Sequence, residues 1–158
     1  MKVIGIAFSD LHLGEYSKFN EDNKRTLNHI RVLYLIKDLC IKYKCPAFFC
    51  GDFMHRPEYI STSLEEIIIE QFEELNRYEE FNIYGISGNH CMPKANTIEH
   101  RSPSHWANLC RRYSFLHNID FSYHDFGKFR VVGIPYIDHN NGLDGLIKSE
   151  LKGAMLKP

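Results

Sequence analysis

The chain has 158 residues, of which 44% are hydrophobic and 13% aromatic, enough for one domain with an ordinary core. Its 19 Lys and Arg balance 20 Asp and Glu, so the overall charge gives no sign of a basic nucleic-acid-binding surface. No apolar run approaches the roughly 18 residues of a membrane-spanning helix, and no export signal begins the chain. Five cysteines without a C-x-x-C pair suit free thiols. We therefore expect a cytoplasmic protein that does not enter a membrane.

The first half of the chain alternates between short apolar segments and helical patterns. The predicted strands are residues 2–9, 47–50 and 81–87, and the predicted helices are residues 22–44 and 62–78. Each helix repeats apolar residues every three or four positions, and Thr62 or Ser63 can cap the second helix. This alternation predicts an α/β domain with central β-sheets flanked by helices.

The second half has weaker patterns. Residues 104–112 predict a short helix, and two alternating segments, 120–126 and 128–134, flank Gly127 like a hairpin or two sheet strands. The tail, residues 142–158, has helical spacing diluted by glycine. Without an internal repeat, these patterns favour a single domain.

Polar residues follow each of the three predicted strands. Asp10 and His12 follow the first strand, Asp52 the second, and Asn89 and His90 the third. In an open α/β sheet, ligands bind outside the carboxyl ends of the strands, so these side chains are expected to converge. Carboxylate, imidazole and amide oxygen suit Mn²⁺, Fe, Zn²⁺ or Mg²⁺. Because one carboxylate can bridge two ions about 3.5–4 Å apart, the pattern predicts a site for two divalent metal ions.

Three motifs in this order resemble the calcineurin-like metallophosphoesterase family. They are D-x-H at residues 10–12, G-D at residues 51–52 and G-N-H at residues 88–90. Longer stretches resemble the DNA-exonuclease branch of the family, the nuclease subunit of the SbcC–SbcD type and its phage counterparts; they are residues 9–14, 51–57 and 133–136. The resemblance implies a layered metallophosphoesterase fold, Mn²⁺-dependent hydrolysis of DNA in repair or recombination, and an SbcC-like coiled-coil ATPase subunit as partner. A homodimer is a further expectation from the family.

The resemblance also implies a role for each site residue. Asp10 and His12 would bind one metal ion, Asp52 would bridge the two ions, and the side-chain oxygen of Asn89 would bind the second. His90 would be a catalytic residue that faces the scissile phosphate and stabilises the charge on the leaving oxygen.

His55 matches a histidine that the nuclease branch uses to position the DNA phosphate, so it is the second candidate catalytic residue. Its alternative role is to cap the helix that follows. Cys91 stands where the family carries an acidic residue after G-N-H. That difference is expected to alter the orientation or basicity of His90.

Complete family members add a later histidine and a G-H-x-H motif, and the sequence contains neither. The remaining histidines are His100, His105, His117, His124 and His139. Residues 1–158 would thus be the N-terminal part of a metallophosphoesterase domain, truncated at its C-terminus, with weak or absent metal binding. Two alternatives stay open: a calcineurin-like phosphoesterase that acts on substrates other than DNA, and an inactive fragment that serves only as an assembly module.

Overall fold

A four-stranded parallel sheet forms the centre of the computed structural model, which describes residues 2–14, 24–56, 61–92 and 104–137. The strands of this sheet are β1 (Ile6–Phe8), β2 (Ala47–Phe49), β3 (Ile83–Gly85) and β4 (Leu116–Asn118), and a separate hairpin contains β5 (Ser122–Asp125) and β6 (Arg130–Gly133). The helices are α1 (Lys24–Tyr43), α2 (Thr62–Leu75) and α3 (His105–Arg112). Within the described ranges, no helix has the length and apolarity needed to cross a membrane.

The strands of the parallel sheet lie side by side in chain order, β1-β2-β3-β4. Ala47 on β2 pairs with Ile83 on β3, and Ile83 pairs with Leu116 on β4, so the first residues of these three strands are aligned across the sheet. One helix connects each strand to the next, which confirms the predicted α/β alternation. All four strands point the same way, and their carboxyl ends therefore meet at one edge of the sheet.

The two faces of the sheet carry different layers, because successive strand residues point to opposite sides. Phe49 faces the helices and contacts Trp106 of α3, with ring centroids 4.8 Å apart. Phe48 and Tyr84 face the hairpin and contact Phe126, with ring centroids 5.6 and 4.9 Å apart. The sheet is thus flanked by helices on one face and covered by the hairpin on the other.

The hairpin confirms the two alternating segments predicted around Gly127. Its strands pair antiparallel, with Ser122 opposite Gly133, and Gly127 at the turn has a φ of +78°. Arg130 and Asp125 form an ion pair of 2.8 Å beside the turn. Positive φ explains why glycine occupies the turn.

The N-cap of α2 is Ser61, so the predicted cap at Thr62 or Ser63 was wrong. Ser61 has the extended backbone of an N-cap, with φ −72° and ψ 156°, and its hydroxyl accepts a hydrogen bond of 3.2 Å from the amide of Leu64. Thr62 is already the first helical residue, so neither Thr62 nor Ser63 is the cap. In this common arrangement, the hydroxyl of an N-cap serine accepts a hydrogen bond from the backbone amide three residues later.

The C-terminus of α1 ends in a Schellman motif. The amide of Cys45 donates to the carbonyl of Cys40 (3.1 Å), the amide of Lys44 donates to the carbonyl of Ile41 (3.3 Å), and Lys44 has a φ of +51°. Cys40 and Cys45 are buried free thiols that touch each other, as expected for core cysteines. Cys50, which follows β2, is an exposed free thiol.

Lys44→Gly is expected to raise the free energy of unfolding by about 1 kcal/mol, because glycine adopts the left-handed conformation without the steric cost that lysine carries. Urea unfolding measures this change. Lys42→Gly in the last turn of α1 is the matched control and is expected to lower stability by about 1 kcal/mol. Loss of stability in both variants would contradict the assignment of the motif.

Candidate metal centre

Three loops follow β1, β2 and β3 at the carboxyl edge of the sheet. The first loop is residues 9–14, the second is residues 50–56 and the third is residues 86–92. Backbone hydrogen bonds join the first loop to the second. The amide of Asp10 donates to the carbonyl of Gly51 (3.0 Å), and the amide of His12 donates to the carbonyl of Asp52 (3.0 Å). These bonds continue the parallel pairing of β1 and β2 beyond the ends of the strands. These backbone hydrogen bonds therefore hold the first loop against the second.

The backbone is strained at three of the predicted metal ligands. Asp10, His12 and Asp52 have φ values of 57°, 43° and 61°, in the left-handed region that non-glycine residues rarely adopt. In the described part of the chain, Lys44 and Phe121 are the other non-glycine residues with positive φ. Such residues cost about 1–3 kcal/mol each and concentrate at functional sites, where surrounding structure holds them in place. The hydrogen-bonded loops supply that constraint here.

Asp10, His12 and Asp52 form one cluster of ligand atoms. Each residue offers an atom, and all three atoms lie within 4.8 Å of one another. Nε2 of His12 lies 3.4 Å from Oδ1 of Asp10. A hydrogen bond from the hydroxyl of Ser9, with a smaller contribution from His12, lowers the pKa of the Asp10 carboxyl. Two carboxylate oxygens and one imidazole nitrogen are a suitable donor set for one divalent ion such as Mn²⁺.

Asn89 and His90 bind Asp52 from the third loop, where Asn89–Cys91 form a short 3₁₀ turn. The backbone amide of His90 donates to Oδ1 of Asp52 (3.1 Å). The side-chain amide of Asn89 lies 3.1 and 3.2 Å from the two carboxylate oxygens of Asp52. Because a carboxylate only accepts, we assign the amide nitrogen of Asn89 as the donor.

Gly51 and Gly88 allow the second and third loops to pack backbone to backbone. Gly51 has a φ of +107°, and a β-carbon there would lie 2.9 Å from Cα of Gly88. A β-carbon on Gly88 would overlap the carboxylate and the backbone nitrogen of Asp52. The glycines of the G-D and G-N-H motifs thus bring Asn89 within reach of Asp52.

Gly88→Ala is expected to push Asp52 out of the cluster, abolish Mn²⁺ binding and lower the free energy of unfolding by about 1–3 kcal/mol. Calorimetric titration with Mn²⁺ and urea unfolding measure the two effects. Gly127→Ala is the matched control, because Gly127 has a positive φ but open space around it. That variant should lose stability and keep Mn²⁺ binding; unchanged Mn²⁺ affinity in Gly88→Ala would contradict the geometry.

His12, His55 and His90 form a histidine cluster beside the ligand atoms. The ring of His12 lies 4.9 Å from that of His90 and 5.9 Å from that of His55, and the rings of His55 and His90 are stacked at 6.4 Å. Nδ1 of His90 lies 2.8 Å from the carbonyl oxygen of His55. A carbonyl only accepts, so Nδ1 carries a proton and Nε2 remains to exchange protons with a substrate.

His55 is held in this cluster by its own backbone. Its amide donates to the carbonyl of Leu13 (2.8 Å), and its carbonyl accepts from His90. Burial, with smaller contributions from His12 and Arg56, lowers the pKa of His55 and favours the neutral imidazole. Ser61 caps α2, so the alternative role of His55 as the helix cap was wrong.

Cys91 ties the third loop to the second. Its buried sulfur accepts a hydrogen bond of 3.1 Å from the amide of Phe53, and its own amide donates to the carbonyl of Gly88 (3.1 Å). Burial raises the pKa of this thiol, which keeps it neutral. Cys91 is therefore a neutral structural contact between two loops, and the carbonyl of His55 orients the ring of His90.

His29 and Thr26 of α1 support the first loop, a role that the sequence did not reveal for His29. The hydroxyl of buried Thr26 donates to the carbonyl of Gly14 (2.9 Å), and His29 hydrogen-bonds the backbone of Leu11 and His12. Burial, followed by the charge of Arg25, lowers the pKa of His29. The spacing of Thr26 and His29, three residues apart on one helix face, was the available signal.

The other histidines do not join the cluster where the structure describes them. His105 lies in α3, His124 lies in β5, and His117 in β4 contacts Asn82, with Nε2 and Oδ1 2.7 Å apart. His100, His139 and the predicted tail helix at residues 142–158 lie outside the described residues. Among the residues that are described, Asp10, His12 and Asp52 form the one group of three or more His, Cys, Asp or Glu residues close enough to hold a metal ion.

No protein-family model matches the chain, and no curated protein matches its sequence.

Proposed function

We propose that this chain is a two-metal phosphodiester hydrolase acting on DNA, a nuclease of the calcineurin-like metallophosphoesterase family in its SbcC–SbcD branch. The observation that carries the proposal is the ligand cluster of Asp10, His12 and Asp52, whose atoms lie within 4.8 Å of one another on two strained loops. The D-x-H and G-D motifs supply the three residues of this cluster, and the G-N-H motif supplies Asn89 and His90 beside Asp52. A metal-dependent hydrolase is the activity that this donor set supports best.

The metal ligands of the proposal are the four residues predicted from the sequence. Asp10, His12 and Asp52 would hold one Mn²⁺, and Asp52 with the side-chain oxygen of Asn89 would hold the second. Bound ions of this kind polarise a phosphoryl oxygen and lower the pKa of a bound water.

The chain's own contribution is to position a proton donor beside the metal ligands. The carbonyl of His55 fixes the ring of His90 through Nδ1, so Nε2 of a His90 ring that carries its second proton can donate that proton to the leaving oxygen and return to the neutral imidazole. The ring of His55 lies parallel to that of His90, with ring centroids 6.4 Å apart. Because these groups are held before substrate arrives, little reorganisation accompanies the reaction.

The proposal includes partners and a compartment. An SbcC-like coiled-coil ATPase subunit would assemble with this chain, and a second copy of the chain would form a homodimer, in the cytoplasm. These partners follow from the sequence resemblance, which includes residues 51–57 and 133–136 as well as the metal motifs.

One observation favours the alternative of an inactive assembly module. The described part of the chain brings together three ligand atoms, from Asp10, His12 and Asp52. Three protein ligands are fewer than a closed metal site has, and weak metal binding would follow from them.

A substrate panel with Mn²⁺ separates the proposal from its alternatives. The chain is incubated with end-labelled linear duplex DNA and with bis(p-nitrophenyl) phosphate, a small phosphodiester, and EDTA provides the metal-free control. Hydrolysis of both substrates supports the DNA nuclease. Hydrolysis of the small ester alone supports a phosphoesterase with other substrates, and hydrolysis of neither supports the assembly module.

A further inference from the structure

Tyr136 is an exposed aromatic residue between two buried neighbours. Pro135 and Ile137 are buried, whereas Tyr136 is 38% exposed. This alternation, buried then exposed then buried, places the tyrosine ring on the outside of the domain. Tyr136 ends the segment Gly133–Tyr136, which resembles the nuclease branch and has no role in the metal cluster.

The backbone of Tyr136 is attached to the third loop of the candidate metal centre. Its amide donates to the carbonyl of Ser87 (2.9 Å), the residue directly before Gly88. Ser87 is itself fixed, because Asp120 accepts from its amide (2.8 Å) and from its hydroxyl (2.6 Å). Tyr136 therefore lies at the carboxyl edge of the sheet, next to the loop that carries Asn89 and His90.

A second anchor holds the other end of the segment. The amide of Phe121 donates to the carbonyl of Gly133 (2.9 Å), and a β-carbon on Gly133 would overlap the backbone carbonyl of Ile119. Both anchors use backbone atoms, so replacing the ring of Tyr136 leaves them in place. The segment thus presents residue 136 in a fixed position.

Tyr43 provides a useful contrast within the described residues. It is 42% exposed, but it ends α1 at the amino edge of the sheet, away from the three loops. Tyr136, by contrast, is a large exposed side chain whose backbone amide is hydrogen-bonded to the third loop of the metal centre.

We propose that Tyr136 stacks on a nucleobase of the DNA strand whose phosphodiester bond lies at the metal centre. The inference rests on the proposed function and adds a residue that distinguishes nucleic acid from small phosphoesters. Every base has a flat π-face, so stacking on tyrosine binds a strand without regard to sequence. The net charge of −1 leaves little overall attraction for phosphates, which increases the relative contribution of stacking to affinity.

The test measures binding of fluorescein-labelled oligothymidylate with phosphorothioate linkages, which resist hydrolysis, by fluorescence anisotropy in Mn²⁺. Tyr136→Ala is expected to weaken binding roughly 5- to 150-fold, the range for loss of one base–aromatic stack. Tyr136→Phe keeps the ring and should stay within about twofold of the wild type, and Tyr43→Ala should not change binding. An abasic oligomer with the same backbone should bind the wild type and Tyr136→Ala equally.

Equal binding of oligothymidylate by the wild type and Tyr136→Ala would overturn the inference, and so would an equal loss on the abasic oligomer, since a structural role would weaken both. Absence of oligothymidylate binding in the wild type also overturns it. Mn²⁺-dependent hydrolysis of bis(p-nitrophenyl) phosphate, measured on the same preparations, reports separately on the metal centre. If the chain hydrolyses this ester but fails the binding test, the proposed hydrolase activity stands and the base-stacking role of Tyr136 is wrong.

Discussion

Asp52→Asn is expected to lower Mn²⁺-dependent hydrolysis of bis(p-nitrophenyl) phosphate and of DNA at least about a hundredfold, since even residues that only support a metal ligand cost 10- to 100-fold. Asp52 contacts both of the other loops: its backbone carbonyl accepts from His12, and its carboxylate accepts from Asn89 and His90. Asparagine keeps the shape but removes the charge. It also lacks a second carboxylate oxygen to accept from the Asn89 amide. The kcat/KM for each substrate measures the loss.

Asp38→Asn is the matched control, because Asp38 lies exposed on α1 and pairs with Lys37 at 2.8 Å, outside the loops. It should keep full activity. If Asp52→Asn retains wild-type kcat/KM while remaining folded, the hydrolysis comes from another site or from a contaminant, and the assignment of the cluster is wrong.

His90→Asn is expected to lower kcat by roughly 10²–10⁴-fold while it leaves Mn²⁺ affinity unchanged. The ring of His90 is fixed by the carbonyl of His55 at 2.8 Å, and its backbone amide, rather than its side chain, binds Asp52. The substitution therefore removes the proton donor and preserves the contact that supports the metal ligand. Steady-state kinetics and a Mn²⁺ titration of the same preparation separate the two effects.

A parallel loss of Mn²⁺ affinity in His90→Asn would show that the ring acts as a ligand or a structural element instead. His105→Asn is the control histidine, since His105 lies in α3, and it should change neither quantity.

Hydrophobic periodicity predicted most of the fold. The helical spacing of residues 22–44 and 62–78 corresponds to α1 and α2, and the alternation around Gly127 corresponds to the hairpin. The strand β4 was not predicted, because Leu116–Asn118 has one buried residue and two polar ones, which is too short a pattern to distinguish from a loop. Its place in the sheet comes from pairing with β3, a contact between residues far apart in the chain.

The convergence of the site residues was also predictable, because parallel strands bring the residues that follow them to one edge. The contacts within the site were not. The left-handed backbone of Asp10 and His12, and the sulfur of Cys91 accepting from Phe53, depend on how two loops pack against each other. The contact of His29 with Leu11 and His12 likewise depends on how α1 packs against the loop after β1, which the helical pattern of α1 does not specify.

The amide of Asn89 is the feature that most affects the metal hypothesis. Sequence resemblance assigns its oxygen to a metal ion, whereas the hydrogen-bond assignment without an ion places its nitrogen against Asp52. A second ion between Asp52 and Asn89 therefore requires the opposite orientation of this amide.

A Mn²⁺ titration of the wild-type chain tests the metal centre most directly. Electron paramagnetic resonance measures binding as a loss of the signal of free Mn²⁺. We expect saturable Mn²⁺ binding to the wild type, and loss of that binding in Asp52→Asn but not in Asp38→Asn. Absence of Mn²⁺ binding at millimolar concentration, or equal binding by all three proteins, would contradict a metal centre built on Asp10, His12 and Asp52.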